Sequence, residues 1–170
     1  MRSDSSSEMT RAPVRSARMV ATAAASVVFA LLLVWSAAGT AASASGPVVA
    51  TGTASLGRVL ITGSGQTLYL FEKDKYGKSA CAGKCAKFWP PLIASAKPIV
   101  GVGAKASLLG MTKRADGRMQ VTYNDHPLYT FVKDTKKGQT NGEGIDAFGA
   151  EWYAVSSAGT VVEKRSSSGG

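Results

Sequence analysis

Cys81 and Cys85 are the only cysteines of this 170-residue chain, and His126 is its only histidine. Two thiolates with an imidazole could hold Cu(I), because soft sulfur ligands select that ion, and Met111 and Met119 lie within fifteen residues of His126. In an oxidising compartment the same C-x-x-x-C pair closes a disulfide instead, which for so short a loop contributes about 2 kcal/mol. The spacing is not that of a C-x-x-C redox site, and no C-x-x-C-H haem attachment is present. The disulfide is the expected state, copper the alternative, and no other cofactor is expected. His126 lacks a nucleophile to serve: there is no Gly-x-Ser-x-Gly element, and the Gly patterns of nucleotide sites are missing too.

Asp74 and Asp134 hold equivalent places in two similar stretches, "LYLFEKD" (68 to 74) and "LYTFVKD" (128 to 134). If brought together they would form a paired-carboxylate site; singly, each would cap the turn after a strand. Asp134, Asn141, Glu143 and Asp146 offer oxygen ligands at a spacing that fits no calcium loop. Lys73, Lys75, Lys78, Lys84 and Lys87 are interleaved with Tyr76, Phe88 and Trp89. Such a strip could hold an anionic polymer or simply be solvated.

The N-terminus decides the compartment. Arg2, Arg11, Arg15 and Arg18 precede an uncharged run from Met19 to Trp35, and Ala42-Ser43-Ala44 supplies a small-residue cleavage site. This reads as a signal peptide over residues 1 to 44, with an uncleaved anchor over 19 to 38 as the alternative. The mature chain of 126 residues then carries 16 basic against 9 acidic groups, a net charge of +7. Export excludes nucleic acid as a natural partner. The charge points to anionic envelope polymers or lipid head groups, with membrane contact otherwise confined to an uncleaved N-terminal segment.

The elements that position these residues come from a duplication. At an offset of 60, residues 57 to 74 and 117 to 134 agree at eight of eighteen positions. Alternating Val59 and Ile61, then Tyr69 and Phe71, give strand periodicity, and "GSGQ" (63 to 66) gives a turn. "YNDHP" (123 to 127) is the equivalent turn, and Asp116-Gly117 marks another hairpin. The face bearing Tyr69 and Phe71, like that bearing Tyr129 and Phe131, is expected to be core. Trp89 and Trp152 read as counterparts, and Pro90-Pro91 confines its segment to a sheet edge. The expected organisation is a flexible 45 to 54, repeat 1 over 55 to 95, a linker over 96 to 107, repeat 2 over 108 to 164 and a disordered tail over 165 to 170. The fold class is all-β: a compact antiparallel sheet domain of two tandem, pseudo-symmetric, hairpin-containing repeats whose apolar faces cover one another.

The doubled Tyr-x-Phe-x-x-Asp motif (Tyr69, Phe71, Asp74; Tyr129, Phe131, Asp134), with "CAGKCAKFWPPL" (81 to 92) and "FGAEWYAV" (148 to 155), resembles the bacterial secreted repeat of unknown function family. Members of that family are often described as predicted lipoproteins. The resemblance runs from residue 55 to about 157 and implies an exported or envelope-attached protein with no established activity. This sequence has no cysteine at the processing site, which favours a soluble secreted form. The expected role is non-catalytic binding or structure, with an extracytoplasmic copper or thiol-redox role as the alternative.

Overall fold

The computed structural model describes residues 45–162. The signal, anchor and tail readings lie outside these residues. Among them, no helix is long and apolar enough to cross a membrane.

Among the described residues the chain is mostly β, in three small sheets with one short α-helix and a 3-10 turn at Ala106–Leu108. β1 (Val48–Ala54), β2 (Gly57–Thr62) and β4 (Ile99–Val100) form the first, in the order β2-β1-β4. β3 (Tyr69–Phe71), β9 (Ala150–Ala154) and β8 (Ile145–Ala147) form the second, with β9 central. β5 (Leu109–Lys113), β6 (Met119–Tyr123) and β7 (His126–Pro127) form the third, with β6 central. Helix α1 (Lys84–Phe88) follows β3. Asn124 and Asp125 both take positive φ, 50° and 61°, and this two-residue turn pairs Tyr123 with His126.

Two stretches depart from expectation. Residues 45 to 54 are not a flexible lead-in: β1 pairs antiparallel with β2 from Val49↔Thr62 to Ala54↔Gly57. Its apolar alternation is weak because it is built of small residues, and smallness is what the packing needs. A side chain at Gly52 would meet Ile61 Cδ1 at 2.6 Å. Residues 96 to 107 are not only a linker either, since β4 runs parallel to β1 and departs from an otherwise antiparallel scheme. The Ile99 and Gly101 N–H groups donate to the Pro47 and Val49 carbonyls at 2.9 and 2.7 Å.

The two copies exchange their C-terminal segments. Leu60 N–H donates to Val155, Val155 to Leu68 and Leu68 to Leu60, a closed triplet of backbone bonds. The second copy repeats it: Val121 donates to Leu92, Leu92 to Leu128 and Leu128 to Val121. Copy one's hairpin is thus completed by copy two's last segment, and the reverse. β3 pairs with β9, as Phe71↔Trp152, while Thr130 and Val132 N–H donate to the Pro90 and Phe88 carbonyls. At the centre, Tyr69 and Tyr129 exchange both backbone bonds, at 2.9 and 3.0 Å.

Because segments lie on each side of the motif strands, both faces of β3 are buried rather than the aromatic face alone. Tyr69 and Phe71 join Trp89, Tyr129, Phe131, Trp152 and the two cysteines in one core. Leu68 and Leu70 join Leu60, Val121, Tyr123 and Leu128 in a second. Neither half could close either core by itself.

Candidate functional site

The doubled motif builds two reciprocal pairs at the junction of the copies. The Tyr69 hydroxyl donates to Asp134 Oδ2 at 2.6 Å, and the Tyr129 hydroxyl donates to Asp74 Oδ2 at 2.7 Å. Each other carboxylate oxygen caps the loop that follows its own strand: Asp74 Oδ1 accepts from Ala80 N–H at 2.7 Å, Asp134 Oδ1 from Asn141 N–H at 2.9 Å. The Asp74 and Asp134 N–H groups also donate back to Phe71 and Phe131, both at 3.0 Å, so the two turns are alike. All four oxygens are therefore occupied by donors from two different tyrosines and two different loops. This arrangement ties the copies together and leaves no shared carboxylate pair for acid–base work.

Burial sets the protonation of these groups. It pushes Asp74 up to about 6, against the Ala80 N–H, the Tyr129 hydroxyl and Arg114, which hold it down. The Tyr69 and Tyr129 hydroxyls are both pushed far above the usual phenol range by burial, and Asp134 and Asp74 respectively add to the effect. Both tyrosines are consequently fixed as donors.

Above the pairs lies a four-ring stack in the order Phe71, Trp152, Trp89, Phe131. Successive centroids are 4.1, 3.9 and 4.2 Å apart, with ring planes within 23° of parallel. Each Trp stacks on the Phe of the other copy and receives its own copy's Tyr edge-on, Tyr69 on Trp89 and Tyr129 on Trp152. Trp89 is 1% exposed. It belongs to this stack and not to the lysine strip where its position in the sequence had placed it.

Cys81 and Cys85 form a disulfide, with Cα atoms 5.3 Å apart, inside the aromatic core. Arg114, a residue to which the sequence assigned no role, clamps the loop. It is buried, and its Nη2 donates to the Cys81 carbonyl at 2.6 Å while Nη1 reaches Ser79 Oγ and Gln120 Oε1 at 2.7 and 2.6 Å. Gln120 Nε2 in turn donates to the Leu128 carbonyl, and Ser79 Oγ lies 2.8 Å from the Tyr129 hydroxyl oxygen, whose proton goes to Asp74. The only sequence signal is that Arg114 opens the Asp116-Gly117 hairpin; nothing local marks it as buried.

The copper arrangement is not assembled. The sulfurs are bonded to each other, and His126 lies elsewhere, lining an open groove of about 690 Å³ with Leu70, Lys73, Asp74 and Lys75. Its imidazole is pushed below its ordinary value by burial, opposed by Asp125 and reinforced by Lys75. Among the described residues, no three His, Cys, Asp or Glu side chains are grouped to hold a metal. Glu143 and Asp134, two of the oxygen donors noted in the second loop, instead accept from Ala154 N–H and Asn141 N–H.

Lys73, Lys75, Lys78, Lys84 and Lys87 are all exposed. Lys75 and Lys78 flank a tight turn, closed by Lys78 N–H to the Lys75 carbonyl at 2.8 Å, with Tyr76 and Gly77 both at positive φ. Tyr76 at its tip is fully exposed.

Compared with known protein families, the chain matches the model described as "secreted repeat of unknown function" twice, over residues 50–93 and 110–156. It belongs to the secreted repeat family. The match begins inside β1 and again inside β5, so each secreted repeat opens with the strand that the ungapped self-comparison missed. The family's description as secreted implies an extracytoplasmic location, and it assigns no catalytic activity. No curated protein and no solved structure matches the chain.

Proposed function

We propose that this secreted repeat protein is a non-catalytic binding module of the cell envelope or the secreted fraction, whose ligand is anionic envelope material. The observation that carries this reading is a surface of uncompensated lysines. Among the described residues the ion pairs are those of Asp116 with Arg114 and Arg118. Among the described residues, Lys73, Lys75, Lys78, Lys84 and Lys87 contact no carboxylate, and their charge is available to a polyanion. Tyr76 stands between Lys75 and Lys78 on a turn of fixed geometry, so an aromatic face and two cations are presented together. The polar chemistry of the interior supports the same reading, because Asp74, Asp134, Tyr69 and Tyr129 are engaged in holding the copies together.

The test is co-sedimentation with purified anionic wall polymer at rising salt. Binding should weaken as salt screens the lysines, and Lys75→Glu with Lys78→Glu should abolish most of it. Retention that is indifferent to salt and to charge reversal would exclude the reading.

A further inference from the structure

The ladder that fills the core ends just beneath the surface at Phe131, which is 5% exposed. Trp89 and Phe131 there form the floor of a notch of about 340 Å³, walled by Phe88 and Phe148 and rimmed by Lys84 and Lys133. The two wall rings pack against each other, with centroids 6.1 Å apart and planes tilted by 39°, yet Phe88 and Phe148 remain 40% and 37% exposed. Val132, whose N–H donates to the Phe88 carbonyl at 3.1 Å, adds a third outward apolar side chain that is 46% exposed. Three large apolar groups are therefore presented on adjoining chain, with the exposed Lys84, Lys87 and Lys133 among them and, among the described residues, in no ion pair. Asp146 alternates with Ile145 and Ala147 along β8 and so stands on that strand's opposite face.

The backbone works against its own preference to make this display. Phe148 has φ 62°, a left-handed conformation rare for a bulky residue, and Lys73 Nζ secures it by donating to the Phe148 carbonyl at 3.0 Å. Residues held so cluster where a surface has work to do.

From this patch we infer that the protein docks peripherally on an anionic lipid bilayer of the envelope, seating Phe88, Phe148 and Val132 at the boundary of head groups and acyl chains. This rests on the anionic-ligand reading above and names its source. A bilayer fits better than a single small amphiphile, because the exposed apolar groups extend past the notch to Val132. Aromatic rings favour the head-group level, and lysine stems lie along apolar surface while their ammonium groups reach phosphates. Juxtamembrane lysines are attracted by anionic leaflets within a Debye length.

The experiment compares protein purified after export, and variants with the same termini, on three materials: vesicles containing anionic phospholipid, neutral vesicles, and soluble anionic wall polymer. Wild-type protein should partition onto anionic vesicles and leave neutral ones largely unbound. Phe148→Gly suits the left-handed backbone and should keep or raise thermal stability; combined with Phe88→Ser it should weaken vesicle binding by about tenfold or more while polymer binding stays within about twofold. Phe148→Leu, which keeps an apolar side chain, should retain most vesicle binding. Lys84→Gln with Lys133→Gln should weaken vesicle binding by roughly tenfold at low salt and less at high salt. Vesicle binding unaltered by the phenylalanine changes, or binding to polymer but not to vesicles, would overturn the bilayer inference and leave the anionic-ligand reading standing. Binding to none of the three materials would remove both.

Discussion

The two copies end their motif strands with the same carboxylate turn and then order the following loop by different means. In copy one, residues 75 to 87 are secured covalently by Cys81–Cys85 and polarly by the buried Arg114. In copy two, residues 135 to 147 contain no cysteine and are held by contact. Asn141 Nδ2 donates to the Lys133 carbonyl, Glu143 Oε2 accepts from Ala154 N–H, and Gly142 lies so close to the ladder that a Cβ there would meet Trp89 Cη2 at 2.7 Å. What the copies share is the frame that crosses between them: Tyr to Asp, Trp on Phe, hairpin to foreign strand. The loops can diverge because that frame fixes only where each begins.

The largest expected effect probes the frame. Trp89→Ala and Trp152→Ala each remove the middle of the ladder and should cost about 3–5 kcal/mol in denaturant unfolding. The equivalence of the copies requires similar losses; a gap beyond about 2 kcal/mol would show that one copy carries the core.

A second test concerns the Asp74 carboxyl, whose pKa rises from 3.8 to about 6 on burial. With the folded value above the unfolded one, its contribution to stability is fully present below about pH 4 and is lost as pH rises through about 6. The full swing is on the order of 2–3 kcal/mol. Asp74→Asn should remove that slope between pH 4 and 6, as followed by thermal unfolding across the range. A slope that survives the substitution would place the titration elsewhere.

The smallest effect sharpens the contrast of the loops. Cys81→Ala with Cys85→Ala should cost about 2 kcal/mol by the loop-entropy model. Hydrogen exchange should rise over residues 75 to 87 and stay unchanged over 135 to 147. Acceleration in both loops would mean that the disulfide supports the whole domain.

Much of this was legible in the chain. An eight-in-eighteen self-match at an offset of 60 requires two like units, and the alternation of Tyr69 with Phe71 and Tyr129 with Phe131 requires strands. The closeness of Cys81 and Cys85 made their bridge readable, and Asn124-Asp125 made the turn before His126 readable, because each depends on neighbours in sequence. β1 was missed because small residues pack tightly without leaving an apolar pattern. Trp89 was misassigned because lysines near in sequence say nothing about the partner that covers an indole.

Sequence alone determined that the motif occurs twice, on strands, in a basic chain. Only the tertiary structure decided that each tyrosine is satisfied by the other copy's aspartate, across 65 and 55 residues. The physical reason is that periodicity reports which face of a segment is apolar, whereas the choice between pairing within a copy and pairing across copies depends on closure. A buried hydroxyl and a buried carboxylate must each find a partner, and here only the exchanged arrangement supplies both while burying both faces of the strands that carry them.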